Sequence, residues 1–552
     1  MNPHPGASQP AGAVDPITLE VVRNGIYAVA EEMKVILMRS ARAPLLKEAG
    51  DLSCALTDAG GRLIAQGRDI PIHLGVMANT VKEFLKRVPA EALRPGDQYV
   101  TNALDVGGNH LPDLKLIKPI FAEARLLAFA INLAHWPDVG GAVPGSYVPW
   151  ATEIYQEGLQ IPPIRLFTAD GPERPLIDLI LTNMRGRDER EGDLMAQFAC
   201  NEVAARRLLE LFGRYGAPTI AACFDRFLAE SEALMRAEIA RVPDGVYEGE
   251  DRMDDDGVGD RPLTIRVRVE VRGDAARFDF TGTDPQCPGP VNTTPFVTCS
   301  AVYYVCKALL GPDITMNDGC LAPLEVHVPL GTLLNPRPGA PVVGGNHETS
   351  NRAVDALLRA MAQAVPDRIV AGSATTSGVL ILSGRAADGQ APYIFYEVHG
   401  GGEGAGAAHD GDNAIRIHMG NTMNTPVEAI EAAYPIRVEA AELIPGSGGA
   451  GRYRGGLGLR RRYRVLVDSQ AVTMIERCRF APWGAFGGDD ARPCVVALNP
   501  ESAAARPARG KAVIPLRAGE AIEVRTAGGG GYGPPAERDP ALAERDRLYG
   551  YV

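Results

Sequence analysis

Gly107-Gly-Asn-His-Leu-Pro-Asp113, then the apolar runs 114–121 and 126–134 joined by Ala122-Glu-Ala-Arg125, then His135: this stretch reads as an antiparallel hairpin with chemistry at its open end. Both runs have strand length, and the polar residues between them are few enough for a hairpin loop. Pairing outward from that loop sets Asp113 beside His135. His110 lies three residues before Asp113, which in a straight strand would turn it to the other face, but Pro112 interrupts the ladder and favours a turn that folds it back. Two imidazoles and one carboxylate then converge. Such a set is an incomplete shell for Zn²⁺, Mn²⁺ or Fe²⁺, with positions left for water or substrate, as in catalytic metal sites and unlike structural ones. The spacing alone also fits merely polar, solvated strand ends in a chain with nine histidines. Glycines at both mouths, Gly107-Gly108 and Gly140-Gly141, permit close approach of a ligand to backbone and add weight to the first alternative. Asp138, just before the second pair, is either an outer partner orienting a histidine or a turn residue.

Working outward, Asp15-Pro16 has the cap and first-turn proline of a helix start, and Leu19, Val22, Ile26, Val29, Met33 and Ile36 follow at helical spacing. Residues 51–57 and 62–65 read as strands around Asp58-Ala-Gly-Gly61. Asp51 opens the first of them, where it either adds a carboxylate to the site or faces solvent. Two helical segments fill 193–242. Residues 263–271 alternate apolar and polar without a break, turn at Gly273-Asp274 and return through Phe278 and Phe280, as a half-exposed antiparallel hairpin does. Helix returns at 301–310 and 353–364, and strands at 462–467 and 471–475 alternate with glycine clusters. These elements predict an α+β fold of several subdomains, with antiparallel hairpins, several helices and a glycine-rich, β-containing C-terminal third. The divisions expected are a flexible tail over 1–14, an N-terminal helix plus the metal-site β region over 15–192, a helical region over 193–260, a mixed α/β region over 261–440, and a glycine-rich β region with a C-terminal tail over 441–552.

At 552 residues the chain exceeds one simple core. A net charge of −12 argues against a nucleic-acid footprint or binding to an anionic membrane, which leaves small substrates and protein partners. The nine cysteines are odd in number, scattered and without a Cys-x-x-Cys pair, the pattern of a reducing compartment. The first fourteen residues lack a signal peptide's basic start and apolar core, and no run has transmembrane length, so a soluble cytoplasmic protein is expected. Ser447-Gly-Gly-Ala-Gly-Arg-Tyr-Arg-Gly-Gly456 and the four glycines within 526–533 read as tight turns first and as anion nests second. His399, Glu403, His409, Asp410 and His418 form a looser rival metal cluster, with His347 another stray candidate. Neither a Gly-x4-Gly-Lys-Ser/Thr loop nor a Gly-x-Ser-x-Gly elbow occurs, so any ATP chemistry falls to another chain.

Taken together, these segments resemble the hydantoinase B and oxoprolinase family, which includes the B-type subunits of ATP-dependent hydantoinases and lactamases and a homologous subunit of acetone carboxylase. The matching stretches run in the family's order through nearly the whole chain: Asp15-Pro-Ile-Thr-Leu-Glu20, Asp51-Leu-Ser-Cys-Ala55, Gly107 to Asp113, Asp138-Val-Gly-Gly141, Pro144-Gly-Ser146, Glu157-Gly-Leu159, Asn424-Thr-Pro-Val-Glu428, Ser447 to Gly456, and Thr526 to Gly533. The resemblance implies a divalent metal, Zn²⁺ or Mn²⁺ ahead of Fe²⁺, on His110, Asp113 and His135, with Asp51 as the carboxylate that joins them. Relatives commonly read His-His-Ala-Asp where this chain has His135-Trp-Pro-Asp138, which implies that Trp136 reshapes the pocket. It further implies a hetero-oligomer in which a larger A-type subunit, holding ATP and Mg²⁺, phosphorylates a small cyclic amide. This chain then completes ring opening with metal-activated water, and Asp138 or Asp51 manages protons. The competing expectations are a subunit of an ATP-dependent, biotin-independent ketone carboxylase and a non-catalytic scaffold. A non-haem iron oxygenase fits the ligand types but not their spacing.

Overall fold

The computed structural model describes residues 14–385 and 392–552; apart from Val14, the tail expected over 1–14 lies outside them. Asp15 caps the first helix, Pro16–Ser40, its carboxylate accepting from the N–H groups of Ile17 and Thr18 at 3.1 and 3.0 Å. Leu19, Val22, Ile26, Val29, Met33 and Leu37 form the buried stripe, with Ile36 half-buried at its edge.

That helix covers one face of a seven-stranded antiparallel sheet of order β2-β1-β5-β4-β3-β6-β7. Its strands are β1 (Leu52–Asp58), β2 (Leu63–Gln66), β3 (Gln98–Thr101), β4 (Asp113–Ala122), β5 (Arg125–His135), β6 (Ile164–Thr168) and β7 (Gly171–Pro172). Both faces are buried, which is why β5 is mostly apolar instead of alternating, while β4 buries Lys115 and Lys118 among its apolar residues. Ala128, Ala130 and Ala134 of β5, with Trp136 just beyond it, join the core under helices Pro16–Ser40 and Arg187–Tyr215. Phe129, Ile131 and Leu133 join the core under helices His73–Arg87 and Pro295–Leu310. The β4–β5 loop is tighter than the four residues expected: Glu123 and Ala124 alone make the turn, both left-handed at φ +48° and +64°, as a type I′ hairpin requires.

A second sheet, β8 (Gly245–Met253), β9 (Leu263–Arg272), β10 (Ala275–Asp279) and β11 (Leu324–His327), packs against helix Ser350–Met361. The strict buried-exposed alternation of β9 matches its sequence pattern. The remaining strands are β12 (Val379–Arg385), β13 (Pro392–Glu397), β14 (Ile436–Leu443), β15 (Leu459–Val465), β16 (Ser469–Met474), β17 (Val495–Leu498), β18 (Arg506–Ala508), β19 (Lys511–Leu516) and β20 (Ala521–Arg525). They form two sheets, β13-β12-β16-β19 and β14-β15-β20-β17-β18. The whole is a mixed α+β fold of several subdomains. Among the described residues no helix is long and apolar enough to cross a membrane.

The glycine clusters have a different cause from the one expected. Gly448, Gly449, Gly455, Gly456 and Gly528–Gly531 are not among the left-handed residues, so turns do not explain them. Instead these segments lie backbone against backbone. Gly449 N–H bonds Gly529 O at 2.9 Å, Gly529 N–H bonds Gly456 O at 2.9 Å, and Gly456 N–H bonds Glu403 O at 2.7 Å. A Cβ on Gly455 would stand 1.7 Å from Gly529 O, and one on Gly529 equally close to Glu403 O. Close approach is what demands glycine here, and it occupies amides that an anion nest would need.

Candidate metal centre

The β4–β5 register pairs Asp113 with His135 directly, and His135 Nδ1 lies 2.9 Å from Asp113 Oδ1. The turn at Pro112 does fold His110 back. Asp113 N–H reaches His110 O at 3.2 Å, Trp136 N–H reaches Pro112 O at 2.8 Å, and His110 Nε2 comes within 3.1 Å of the same Asp113 Oδ1. One ligand atom from each of His110, Asp113 and His135 lies within 4.8 Å of the others, and all three residues are buried.

His110 Nδ1 faces Val343 O at 3.3 Å, a pure acceptor, so the ring proton belongs on Nδ1 and Nε2 is bare. Asn346 Nδ2 donates to that bare nitrogen at 3.1 Å. The same lone pair faces an oxygen of Asp113, and two lone pairs at that distance call for a cation or a proton between them. Burial pulls His110 below the ordinary imidazole range against the pull of Asp113. Burial alone would raise Asp113, but His110, His135 and His73 hold it well below the usual carboxylate range. His135 goes the other way: burial opposes its charge, and Asp113 and Asp51 outweigh burial. His135 Nε2 is buried without a partner, as is Nε2 of His347. Orphaned imidazole nitrogens around a carboxylate are a donor set that could hold a divalent cation.

These residues line one small cavity, whose walls also include His73, Tyr147, Asn346, Tyr396 and Arg416. His73, at the start of its helix, bridges Ser53 Oγ (2.8 Å from Nδ1) and Asp113 Oδ2 (3.3 Å from Nε2). Asn109 Nδ2 donates to the same Oδ2. Asp113 is thereby clamped through one oxygen while the other faces the histidines. His347 Nδ1 lies 3.0 Å from Glu348 Oε1, and its ring stacks on Tyr147 at 5.3 Å between centroids. The Tyr147 and Tyr396 hydroxyls lie 3.0 Å apart, and burial pushes both upward, so they stay protonated. His73 went unnoticed in the sequence, where a lone histidine ahead of an amphipathic helix gives no signal.

Asp51 lines the same cavity. Its backbone carbonyl accepts from His135 N–H at 3.1 Å, although its carboxylate is not one of the three groups that close to within 4.8 Å. Asp138 is placed elsewhere. Its buried carboxylate accepts from the N–H groups of Gly140 (2.9 Å), Gly145 (2.8 Å) and Arg185 (3.0 Å) and from Arg185 Nη1 (3.0 Å). That is the work of a turn residue holding its loop, and it is not among the groups lining the cavity. Trp136 does not reshape the pocket either. As the neighbour of an inward-facing histidine it points to the opposite face, where it is buried and donates to Gln197 Oε1 at 3.0 Å. The rival cluster is dispersed: His399 is tied to Gly378 O and Tyr463 Oη, His418 to Tyr304 Oη, and Asp410 to Arg538 and Arg545.

A model of the hydantoinase B/oxoprolinase family matches residues 15–535. The chain belongs to that family. It is 32% identical over 560 residues to the caprolactamase subunit beta of Pseudomonas jessenii, covering 98% of this chain and 94% of that one. It is 32% identical over 545 residues to 5-oxoprolinase 1 of Arabidopsis thaliana, where 94% of this chain spans only 42% of the relative. The crystal structure of the ATP-dependent caprolactamase from Pseudomonas jessenii superposes with a TM-score of 0.92 at 32% identity, over 98% of this chain and 94% of that chain. The nucleotide-free structure of acetone carboxylase shares the fold, with a TM-score of 0.89 at 21% identity over 98% and 78% of the two chains.

Proposed function

We propose that this chain is the B-type subunit of an ATP-dependent, metal-dependent cyclic amide hydrolase of the hydantoinase, 5-oxoprolinase or lactamase kind. An A-type partner binds ATP with Mg²⁺ and phosphorylates the amide oxygen of a small cyclic amide, and this chain completes the ring opening. The observation that carries the reading is the bare His110 Nε2 set against an ionised Asp113 oxygen, beside the unpartnered His135 Nε2, in a lined cavity. Membership of a family whose relatives include a caprolactamase subunit and 5-oxoprolinases supports the substrate class.

His110, Asp113 and His135 would hold the metal, with Asp51 as the joining carboxylate, and the chemistry it would supply there is a water of lowered pKa and positive charge for a developing oxyanion. His73 and Asn109 orient Asp113, and Val343 O fixes the tautomer of His110, as outer partners do in metal sites. His347 Nδ1 hydrogen-bonds to Glu348 Oε1, which leaves Nε2 as an unpartnered nitrogen able to take or give a proton at the cavity wall. Tyr147 and Tyr396 remain neutral donors on the wall. Asp138 has no proton-transfer role in this arrangement.

The test is the complex with its A-type partner, assayed for ADP and product with hydantoin, 5-oxoproline, caprolactam, and acetone plus bicarbonate. ADP release matched by ring-opened product supports the hydrolase. A carboxylated ketone would replace it with the carboxylase reading, for which the fold shared with acetone carboxylase speaks.

A further inference from the structure

Arg416 stands on the wall of the metal cavity with only neutral partners. Nη1 donates to Ser377 O at 3.1 Å and to His399 O at 3.4 Å, and Nη2 donates to Ser377 Oγ at 3.1 Å. The nearby carboxylates of Asp51 and Glu348 act on it only through space. Nε is buried and has no acceptor. The terminal edge of the guanidinium is therefore engaged by Ser377, while the Nε–Nη2 edge keeps two N–H donors free, side by side. That edge is the fork with which arginine grips two oxygens of one anion.

The backbone is shaped to hold this group. Ala414 and His418, two residues to either side, are both left-handed at φ +51° and +59° although neither is glycine. Ile415 between them is fixed by paired backbone bonds to Gly401, 2.9 Å each way. Gly420, also on the cavity wall, borders the free edge. A Cβ there would stand 2.5 Å from Nη2 and 3.4 Å from Nε. Glycine keeps a side chain off that edge. A guanidinium with no direct ion pair and an Nε–H without an acceptor is costly to maintain, and a ligand on its unfilled edge would repay that cost.

We infer that the Nε–Nη2 edge of Arg416, with Ser377 Oγ beside it, binds the phosphoryl group of the activated cyclic amide. The inference rests on the hydrolase reading for its substrate class. Every cyclic amide that reaches this cavity through ATP carries a phosphoryl group, whereas a carboxylate is present only on some, and a dianion satisfies a fork and a hydroxyl together.

Calorimetric titration of inorganic phosphate and, in parallel, acetate into the metal-free chain tests this. Phosphate should bind, acetate should bind at least about tenfold more weakly, and Arg416→Gln should weaken phosphate by more than about tenfold, the loss of one charge-assisted contact. Arg416→Lys should recover part of the affinity, since it restores charge without the fork. Gly420→Ala, which keeps the arginine and fills its free edge, should weaken phosphate as well and gives the answer if Arg416→Gln does not fold. Absence of phosphate binding by the parent chain, unchanged affinity in these variants, or acetate bound as tightly as phosphate would each overturn the assignment. Since metal is omitted, a failed metal site leaves the phosphate result standing, and metal retained without phosphate binding removes Arg416 alone.

Discussion

Asp113→Asn separates activation of the substrate from its completion. Asp113 Oδ2 accepts from His73 and Asn109, so the asparagine amide oxygen stays on that side and its NH₂ group turns toward the histidines. There it meets the bare His110 Nε2, 3.1 Å from the oxygen it replaces, which it can satisfy. It also meets His135 Nδ1, at 2.9 Å, whose proton it opposes. One hydrogen bond to a charged acceptor is lost, about 1.5–3 kcal/mol, and the metal set loses its central negative charge. Replacing a residue that merely orients a ligand costs about 10–100-fold in metal affinity, so removing the ligand itself should cost at least about 100-fold, or about 2.7 kcal/mol. In a single turnover of the assembled complex, with ADP and ring-opened product measured in the same quenched samples, ADP should form within about twofold of the parent rate. Ring-opened product should fall by at least about 100-fold. The assay is made in one turnover because slow product release could otherwise hold back the ATP step. Ring opening at the parent rate, or stoichiometric metal in the purified variant, would refute the argument.

Other outcomes follow from the same geometry. His110→Ala and His135→Ala should each lose tightly held metal by elemental analysis while the circular dichroism spectrum stays that of the parent, since both side chains lie at the open end of the hairpin. The chain without its partner should hydrolyse neither ATP nor a cyclic amide, and ADP release that depends on substrate from the isolated chain would end the proposed division of labour. Asp138→Asn should lower unfolding stability in urea by about 2–4 kcal/mol through the buried contact with Arg185 and leave metal affinity unchanged. Glu157, pushed up to about 8 by burial against the bonds it accepts from the N–H groups of Val342 and Val343, favours the fold as the neutral acid. Its contribution is whole below the unfolded value near 4.5 and lost as pH rises through about 8, so Glu157→Gln should flatten the fall in stability across that window.

The parts of the site legible in the sequence are those that strand pairing brings together. Asp113 and His135 meet through the local register of one hairpin, and Pro112 marks the turn that returns His110, so periodicity and a proline were enough. The same rule, applied one residue further, would have turned Trp136 away from the cavity, because neighbours on a strand take opposite faces. Asp138 was readable as well: an aspartate two residues before a glycine is a turn former, and its bond to Gly140 N–H is of that kind. His73, Asn346, Tyr396 and Arg416 carry no such local mark. They arrive from the start of a helix, the π-helical turn Gly345–Thr349, a strand of another sheet and a glycine-bordered loop, and only packing of separate subdomains sets them around Asp113. Glycine misled for a related reason. A sequence shows that a side chain is missing but not whether the backbone needs left-handed freedom, as at Gly140 with φ +91°, or needs another chain segment to come close, as at Gly455. The hairpin supplies the candidate ligand set, and the residues that sequence reading could not reach are those that hold Asp113 and line the cavity beside it. On the proposed reading, ligand chemistry is local in this chain whereas substrate recognition belongs to the assembled fold, and variants at Arg416 or His347 should alter what the cavity accepts without altering whether the hairpin forms.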